Sequence, residues 1–226
     1  MFLATFCNRF IFFKSTNITV IVKRSYNKLT MYTHWFYKGM NDKLKAVKDS
    51  VRLNVPYKSQ LDNRYEPYSA CNVTSFGMVF DYYDIGFVHT FTGRHKQNKN
   101  KQIEDDIYEY MSEKGLNKHY PEDLAQMARD FGLKDDFTVH GTFERCKQHL
   151  SNGNLLVLHG YFTQPGHIIV GVGYDEDGLL VHDPYGEWFP RGYRTDLSGA
   201  YLHYSNELIR KTCAYDGEFW VHYLSK

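Results

Sequence analysis

Residues 67–83 read PYSACNVTSFGMVFDYY, and the rest of the chain can be placed around this stretch. Ser69 is a residue type that caps helices, because its hydroxyl accepts a hydrogen bond from an amide of the first turn. Helical spacing then predicts one inward face, formed by Cys71, Ser75, Met78 and Tyr82. The cysteine would lie in the first turn, where the helix dipole stabilises a thiolate, the nucleophilic form of cysteine. It is a candidate nucleophile. The alternative is a small core residue, since free cysteine is among the most buried residue types.

Length and composition limit the classes of protein to which the chain can belong. Its 226 residues suit one domain with a real core, and a net charge of +1 gives no argument for a nucleic-acid partner. The 19 tyrosines and 16 phenylalanines can fill a core or line a groove that holds a peptide or a sugar. No CxxC pair indicates a zinc site, and no cofactor is expected. The scattered cysteines fit a thiol enzyme or a reducing compartment better than a disulfide framework: Cys7, Cys71, Cys146 and Cys213.

Residues 1–48 differ in composition from the rest and are predicted to be a basic leader or extension, poorly ordered in part. No acidic residue precedes Asp42, whereas lysine and arginine recur throughout the segment. Its apolar runs, 10–13 and 18–22, are shorter than the roughly 20 residues of a membrane span, so no span is expected. A targeting peptide and an upstream extension both fit this pattern, and a cytoplasmic location is favoured. Residues 49–226 are expected to form the domain.

The remaining sequence predicts helices first and strands second. Helical signals occur over 41–51, 103–115, 121–132 and 142–150, with Cys146 facing the core in the last of these. Residues 86–102 are polar and basic and are predicted to form an exposed loop. Short apolar runs bounded by turn residues predict strands over 155–158, 167–173, 179–182 and 219–224. This order indicates an α+β domain with helices on one side of an antiparallel sheet.

Two polar residues stand at the adjoining ends of one predicted hairpin. His167 opens its first strand, residues 175–178 (DEDG) have turn chemistry, and Asp183 ends the return strand just before Pro184. If residues 175–178 formed the whole loop, Asp183 would lie on the face opposite His167, because facing alternates along a strand. A loop of odd length would place both on one face. A His–Asp pair therefore predicts an odd loop or a bulge in this hairpin.

Four residues together meet the requirements of thiol catalysis. Cys71 would attack as a thiolate, His167 would take and return the proton, and Asp183 would fix the imidazole tautomer. Gln60, on a loop upstream, could donate its side-chain amide to the developing oxyanion, with the Cys71 backbone amide as the second donor. Each residue alone has an ordinary structural explanation. Their order and local context indicate an active site.

The chain from residue 53 to residue 183 resembles the papain-like cysteine peptidases of the bacteriocin-leader-processing group (double-glycine peptidase-like), in its stand-alone branch. The resemblance rests on Val55-Pro56-Tyr57 with Gln60, on Cys71-Asn72-Val73-Thr74-Ser75 with Met78, on Gly166-His167 before Val170-Gly171-Val172-Gly173-Tyr174, and on Asp183-Pro184. It implies a papain-like α+β fold and the four catalytic roles given above. Asn72 and Val73 replace a Gly-Pro pair that is common in that group, which would alter the groove beside the nucleophile.

We therefore predict a cysteine peptidase-like hydrolase that cleaves a peptide or related amide bond through a thioester acyl-enzyme. Its partner would be a peptide or peptide-like substrate, and the 86–102 and 185–193 segments would form groove walls. Two other functions fit the same features: an acyltransferase using the same four residues, or a non-catalytic module that binds peptide or cell-wall polymer. A metal site made of His159, His182 and Asp183 is a further alternative, although no helix-borne His-x-x-x-His or cysteine pair accompanies it.

Overall fold

Within the described part of the chain, helices cover both faces of one antiparallel sheet. The computed structural model describes residues 47–85 and 102–226. The helices are α1 (Cys71–Tyr82), α2 (Ile103–Lys114), α3 (Pro121–Asp130), α4 (Phe143–Ser151) and α5 (Asn206–Cys213). The strands are β1 (Val51–Arg52), β2 (Lys134–Thr138), β3 (Leu155–Gly160), β4 (His167–Tyr174), β5 (Gly178–His182), β6 (Glu187–Phe189), β7 (Gly192–Arg194), β8 (Leu202–Ser205) and β9 (Val221–Ser225).

The sheet runs in the order β2-β9-β3-β4-β5-β8, with β1 added beside β4, while β6 and β7 form a separate hairpin. Helices α1, α2 and α3 pack on one face around a first core that includes Phe76 and Val170. Helices α4 and α5 pack on the other face around a second core that includes Cys146 and Ile169. The predicted α+β class is confirmed, but the expectation of helices on one side only is wrong. All eight residues of β4 are buried, and such a strand needs cover on both faces.

Helix α1 is the central helix of the first core. Residues 72–80 are all buried, so the predicted single inward face is too narrow: the sheet lies against one side of α1 and α2 against another. Cys71 lies in the first turn of the helix as predicted, yet Ser69 does not cap it. Ser69 ends a 3-10 turn (Pro67–Ser69), and its hydroxyl donates to the Glu66 carboxylate at 3.1 Å. Ala70 occupies the cap position without a side-chain hydrogen bond.

The other predicted helices that fall on described residues follow their end signals. Gly115 ends α2 with a positive φ of 70°, Pro121 opens α3, and the Thr142 hydroxyl accepts from the Arg145 amide at 3.1 Å to cap α4. Cys146 in α4 is fully buried, which agrees with its assignment to the core. The predicted leader, apart from residues 47 and 48, and the predicted 86–102 loop, apart from Gln102, lie outside the described residues.

Some elements differ from the prediction. Residues 41–46 lie outside the described residues, residues 47–50 are not helical, and Val51 begins β1, where it pairs with Tyr174 of β4. The four predicted strands are present with shifted ends, but β2, β6, β7, β8 and α5 were not predicted. Strands β2 (KDDFT) and β8 (LHYS) stand at the two edges of the sheet. Edge strands keep polar residues on an open side, so their sequences lack a clear apolar alternation. No described helix is long and apolar enough to cross a membrane.

A β-bulge in the β4–β5 hairpin determines to which face of the sheet the side chains beyond it point. Tyr174 pairs with Leu179, which leaves a four-residue loop. The register then shifts between Gly171 and Gly173, so Val172 is an extra residue. The Val172 carbonyl accepts a hydrogen bond from the Leu53 amide at 2.8 Å. Because one residue is inserted, Asp183 follows β5 on the same face of the sheet as His167. The sequence predicted either an odd loop or a bulge, and the structure has the bulge.

Candidate active site

Cys71 is the first residue of α1 and is half-buried. As the first helical residue, it has a backbone amide without an intrahelical acceptor. Burial opposes ionisation of its thiol, but the charge of His167 and a hydrogen bond from it act in the other direction. A hydrogen bond from the Ile168 amide and the charge of Lys118 add to this effect, and the pKa of the Cys71 thiol is lowered.

His167 connects the thiol to a buried carboxylate. Its Nε2 lies 2.7 Å from Asp183 Oδ1, and the histidine is 5% exposed while the aspartate is fully buried. Because the carboxylate engages Nε2, the other ring nitrogen remains for the thiol of Cys71. Burial would lower the pKa of His167, but the charges of Asp183 and Cys71, with hydrogen bonds to both, raise it well above its ordinary value. The site therefore favours a thiolate–imidazolium pair.

Two tyrosines complete the surroundings of Asp183, and the sequence reasoning missed both. The hydroxyls of Tyr193 and Tyr204 donate to Asp183 Oδ2 at 2.9 and 3.0 Å. The Tyr185 amide donates to Oδ1 at 3.0 Å. Burial and the nearby Asp183 charge raise the pKa of both tyrosines, which keeps their hydroxyls protonated as donors. A buried carboxylate needs donors on both oxygens, but nothing in the sequence indicates which tyrosines supply them.

The backbone of Asp183 is fixed by two other segments. Its amide donates to the Gly199 carbonyl at 2.9 Å, and its carbonyl accepts from the Tyr57 hydroxyl at 3.1 Å. The Gly199 amide in turn donates to the Tyr57 hydroxyl at 3.1 Å. A Cβ at position 199 would lie 1.8 Å from the Asp183 carbonyl oxygen, so only glycine allows this approach. Asp183 is therefore fixed by hydrogen bonds to both its side chain and its main chain.

Gln60 lies where the segments that carry Asp183 and Cys71 meet. Its amide N–H donates to the Pro184 carbonyl at 2.9 Å, and its side-chain Nε2 donates to the Pro67 carbonyl at 2.8 Å. The residue is 2% exposed, and among the described residues its Oε1 has no hydrogen-bond partner. A primary amide carries two N–H groups, so the hydrogen bond to Pro67 leaves one for a further acceptor.

Lys118 is a third site residue that sequence reasoning missed. It is 8% exposed, and its Nζ lies 3.2 Å from a Glu66 carboxylate oxygen and 2.5 Å from the Ser69 carbonyl. Its own carbonyl accepts from the Asn72 side chain at 2.7 Å, so the lysine is tied to the first turn of α1. Its charge helps to lower the pKa of Cys71. Nothing in the sequence around Lys118 distinguishes it from a surface lysine.

A groove with a volume of about 230 Å³ opens beside Cys71 and His167. Its lining includes His119, Pro121, His159 and Trp220. The predicted 185–193 wall does not line this groove. Instead, Tyr185 and Tyr193 pack against the His167 ring, with ring centroids 6.2 and 5.3 Å away. The predicted 86–102 wall lies outside the described residues except for Gln102.

The remaining histidine of the hairpin has a structural role. His182 is buried, its Nε2 lies 3.0 Å from the Val55 carbonyl, and its Nδ1 accepts from the Tyr201 amide at 3.0 Å. Its side chain is thus engaged on the face opposite Asp183. Among the described residues no group of histidine, cysteine, aspartate and glutamate is placed to hold a metal ion. The alternative of a His159–His182–Asp183 metal site therefore has no geometric basis.

The arrangement has the parts that thiol chemistry needs. A cysteine thiol with a lowered pKa stands at a helix N-terminus beside an imidazole, and a fully hydrogen-bonded carboxylate holds that imidazole. Such a group can attack an electrophilic carbon and transfer a proton to a leaving group. The geometry brings Cys71, His167 and Asp183 together, and it places Gln60 at the junction of the segments that carry them.

Comparisons with known proteins bear on the family. No curated protein matches the chain. One similar solved structure is a double glycine motif protease from an AMS/PCAT transporter in complex with the leader peptide: identity is 16%, the alignment covers 77% of this chain and 93% of that one, and the TM-score is 0.44. Another is a C39-like peptidase from Bacillus anthracis: identity is 16%, coverage is 79% and 99%, and the TM-score is 0.55. The second likeness shows the papain-like cysteine peptidase fold.

The sequence match to a family model is longer than the resemblance described above. Residues 52–209 match the model described as "Peptidase_C39 like family", which is more than half of the chain. The match extends beyond Asp183 and includes both tyrosines that donate to its carboxylate. The chain therefore belongs to the peptidase C39-like family of cysteine peptidase-like proteins.

Proposed function

We propose that the protein is a thiol hydrolase that cleaves a peptide or a related amide bond through a thioester acyl-enzyme. The observation that carries this proposal is the Cys71 thiol beside His167, whose Nε2 lies 2.7 Å from a buried Asp183. Family membership supports it at the level of a cysteine peptidase-like protein. A module that only bound peptide would have no need for a thiol ionised by an adjacent imidazole.

In the acylation step, the Cys71 thiolate attacks the carbonyl carbon of the scissile amide, and a C–S bond forms. The negative charge that develops on the carbonyl oxygen would be stabilised by the backbone N–H of Cys71 and by the free N–H of the Gln60 side chain. The imidazolium of His167 then gives its proton to the departing nitrogen, the C–N bond breaks, and an amine leaves. The acyl group remains on sulfur as a thioester.

In the deacylation step, water resolves the thioester. Neutral His167 takes a proton from the water as its oxygen attacks the thioester carbonyl, and the same N–H donors stabilise the second oxyanion. The C–S bond breaks, an acid is released, and the thiolate–imidazolium pair is restored. Asp183 holds the imidazole in one orientation throughout and stabilises its protonated form.

The pH dependence of Cys71 alkylation by iodoacetamide tests this proposal. The lowered pKa of Cys71 and the raised pKa of His167 define a pH range in which the ion pair exists. Reactivity should therefore appear as pH rises through the lowered thiol pKa, well below about 8.5, the pKa of an ordinary cysteine. The measurement uses a Cys7→Ser background and locates the alkylated residue by mass spectrometry. Burial raises the pKa of Cys146 and Cys213 to about 12, and these two thiols serve as internal controls.

His167→Ala should abolish the low-pH reactivity, with about a tenfold loss of rate for each unit by which the thiol pKa rises. His203→Ala is the matched control, because His203 is exposed and pairs with Asp175 at 3.0 Å, away from the groove. If Cys71 is inert, or reacts like a free thiol whether or not His167 is present, the proposed function is wrong.

A further inference from the structure

A chain of three titratable residues ends at the groove wall and has no part in the mechanism above. His222 Nδ1 lies 2.9 and 3.1 Å from the two carboxylate oxygens of Asp135, and His222 Nε2 lies 3.0 Å from His159 Nε2. The side chains of Asp135 and His222 are fully buried. His159 is half-buried and lines the groove that also contains Cys71. The three residues come from β2, β9 and β3.

The chemistry of these residues limits where the protons lie. An ionised carboxylate only accepts, so His222 Nδ1 carries a proton and donates it to Asp135. The 3.0 Å contact between His222 Nε2 and His159 Nε2 requires a proton on one of these two nitrogens, and the other accepts it. His159 Nδ1 is then left for a further hydrogen bond, and no described residue supplies one.

The strand register places His159 close to the nucleophile. His159 of β3 pairs with Ile168 of β4, and paired residues on adjacent strands point to the same face. The Ile168 amide donates to the Cys71 sulfur, and the Ile168 carbonyl accepts from the Ser75 hydroxyl at 3.3 Å. The backbones of His159 and Ile168 are therefore about one strand spacing, roughly 5 Å, apart. His159 and Cys71 line the same groove.

We propose that His159 is a substrate-binding residue whose Nδ1 forms a hydrogen bond with the backbone of the bound peptide. Asp135 and His222 act as positioning residues, because their hydrogen bonds fix the orientation of the His159 ring. The ring is also held by aromatic neighbours, with the Phe137 and Trp220 centroids 6.0 and 6.1 Å away. The inference rests on the proposed function, since it assigns a peptide to the groove beside Cys71.

The test compares two alkylating reagents on a set of variants. Iodoacetamide is small and reports only the thiol of Cys71, whereas peptidyl acyloxymethyl ketones must also occupy the groove. His159→Phe keeps an aromatic ring and removes the hydrogen-bonding nitrogen, while His159→Gln keeps a side chain that can donate or accept a hydrogen bond. Asp135→Asn leaves the size of the side chain unchanged and removes the charge that holds His222. His140→Ala, which changes an exposed histidine that does not line the groove, is the matched control.

We expect His159→Phe and Asp135→Asn to react with the peptidyl reagents about five- to tenfold more slowly, the effect of one lost hydrogen bond. His159→Gln should retain most of the wild-type rate, and all variants should react normally with iodoacetamide. If His159→Phe reacts with both reagents like the wild-type protein, the inference is wrong and the proposed function stands. If both rates fall together, His159 is structural and the inference is also wrong. A wild-type Cys71 that is inert to iodoacetamide overturns the proposed function, and this inference with it.

Discussion

One buried carboxylate, Asp183, collects donors from distant parts of the sequence. Its partners His167, Tyr193 and Tyr204 lie 16, 10 and 21 residues away. The sequence predicted the histidine, because a hairpin brings the two ends of its strands together. It could not predict the tyrosines, since their contact depends on how the segment after β5 folds back. The same holds for Lys118, whose effect on Cys71 comes from a turn between two helices.

Replacement of the Asp183 charge should shift the reactivity of Cys71 to higher pH. Burial lowers the pKa of His167, and the charge of Asp183 is the largest of the influences that together outweigh burial and raise that pKa. In Asp183→Asn the pKa of His167 should fall, so the thiolate loses its cationic partner and the pKa of Cys71 should rise. At a pH below the thiol pKa of both proteins, alkylation should then slow by about tenfold for each unit of that rise, and the two rates should converge above both pKa values. The matched control is Asp175→Asn, an exposed carboxylate 3.0 Å from His203. An unchanged pH profile in Asp183→Asn would contradict the role given to the carboxylate.

The extra residue in β4 is the element that makes the His–Asp pair possible. Without Val172 the four-residue loop would place Asp183 on the face opposite His167, because one residue of register reverses every side chain. The sequence shows that a His–Asp pair needs one extra residue in this hairpin. It does not show where that residue lies, because an odd loop would bring His167 and Asp183 to one face as well as a bulge does. Strand β1 stabilises the bulge, since Leu53 donates to Val172 and Arg52 pairs with Gly173.

Gly173→Ala tests whether β1 and the bulge depend on this close approach. A Cβ at Gly173 would lie 2.2 Å from the Val51 carbonyl oxygen, and a backbone neighbour can move only if β1 leaves β4. We expect a loss of about 1–3 kcal/mol in the free energy of unfolding, measured by urea denaturation. Gly171→Ala is the control, because its Cβ would lie 3.1 Å from Leu156 Cβ, a much milder overlap that a small shift of the neighbour relieves. Equal losses of unfolding free energy in the two variants would show that the close approach of β1 to Gly173 adds nothing to the destabilisation.

At the scale of the whole molecule, the sequence predicted the class of fold better than its layers. Glutamine, cysteine, histidine and aspartate, in that order along the chain, led to the papain-like fold that the comparisons show. The second layer of helices was not predicted, because α5 (NELIRKTC) is short and mostly polar in sequence. Apolar alternation is also hidden in a strand buried on both faces, such as β4. The missing information was therefore which faces of the sheet are covered.

The two cores should unfold together, because β3 and β4 supply alternate side chains to both. Cys146 and Cys213 report on the second core, and the thiol introduced by Ala128→Cys reports on the first, where Ala128 is fully buried. In a Cys7→Ser, Cys71→Ser background, pulsed alkylation across a urea series should label all three thiols with one midpoint. The far-UV circular dichroism midpoint of the same variant is the control for global unfolding. Earlier labelling of Cys146 and Cys213 would mean that α4 and α5 leave the sheet first. The support of Asp183 by Tyr204, which packs in the second core, would then be lost before the helix that carries Cys71 unfolds.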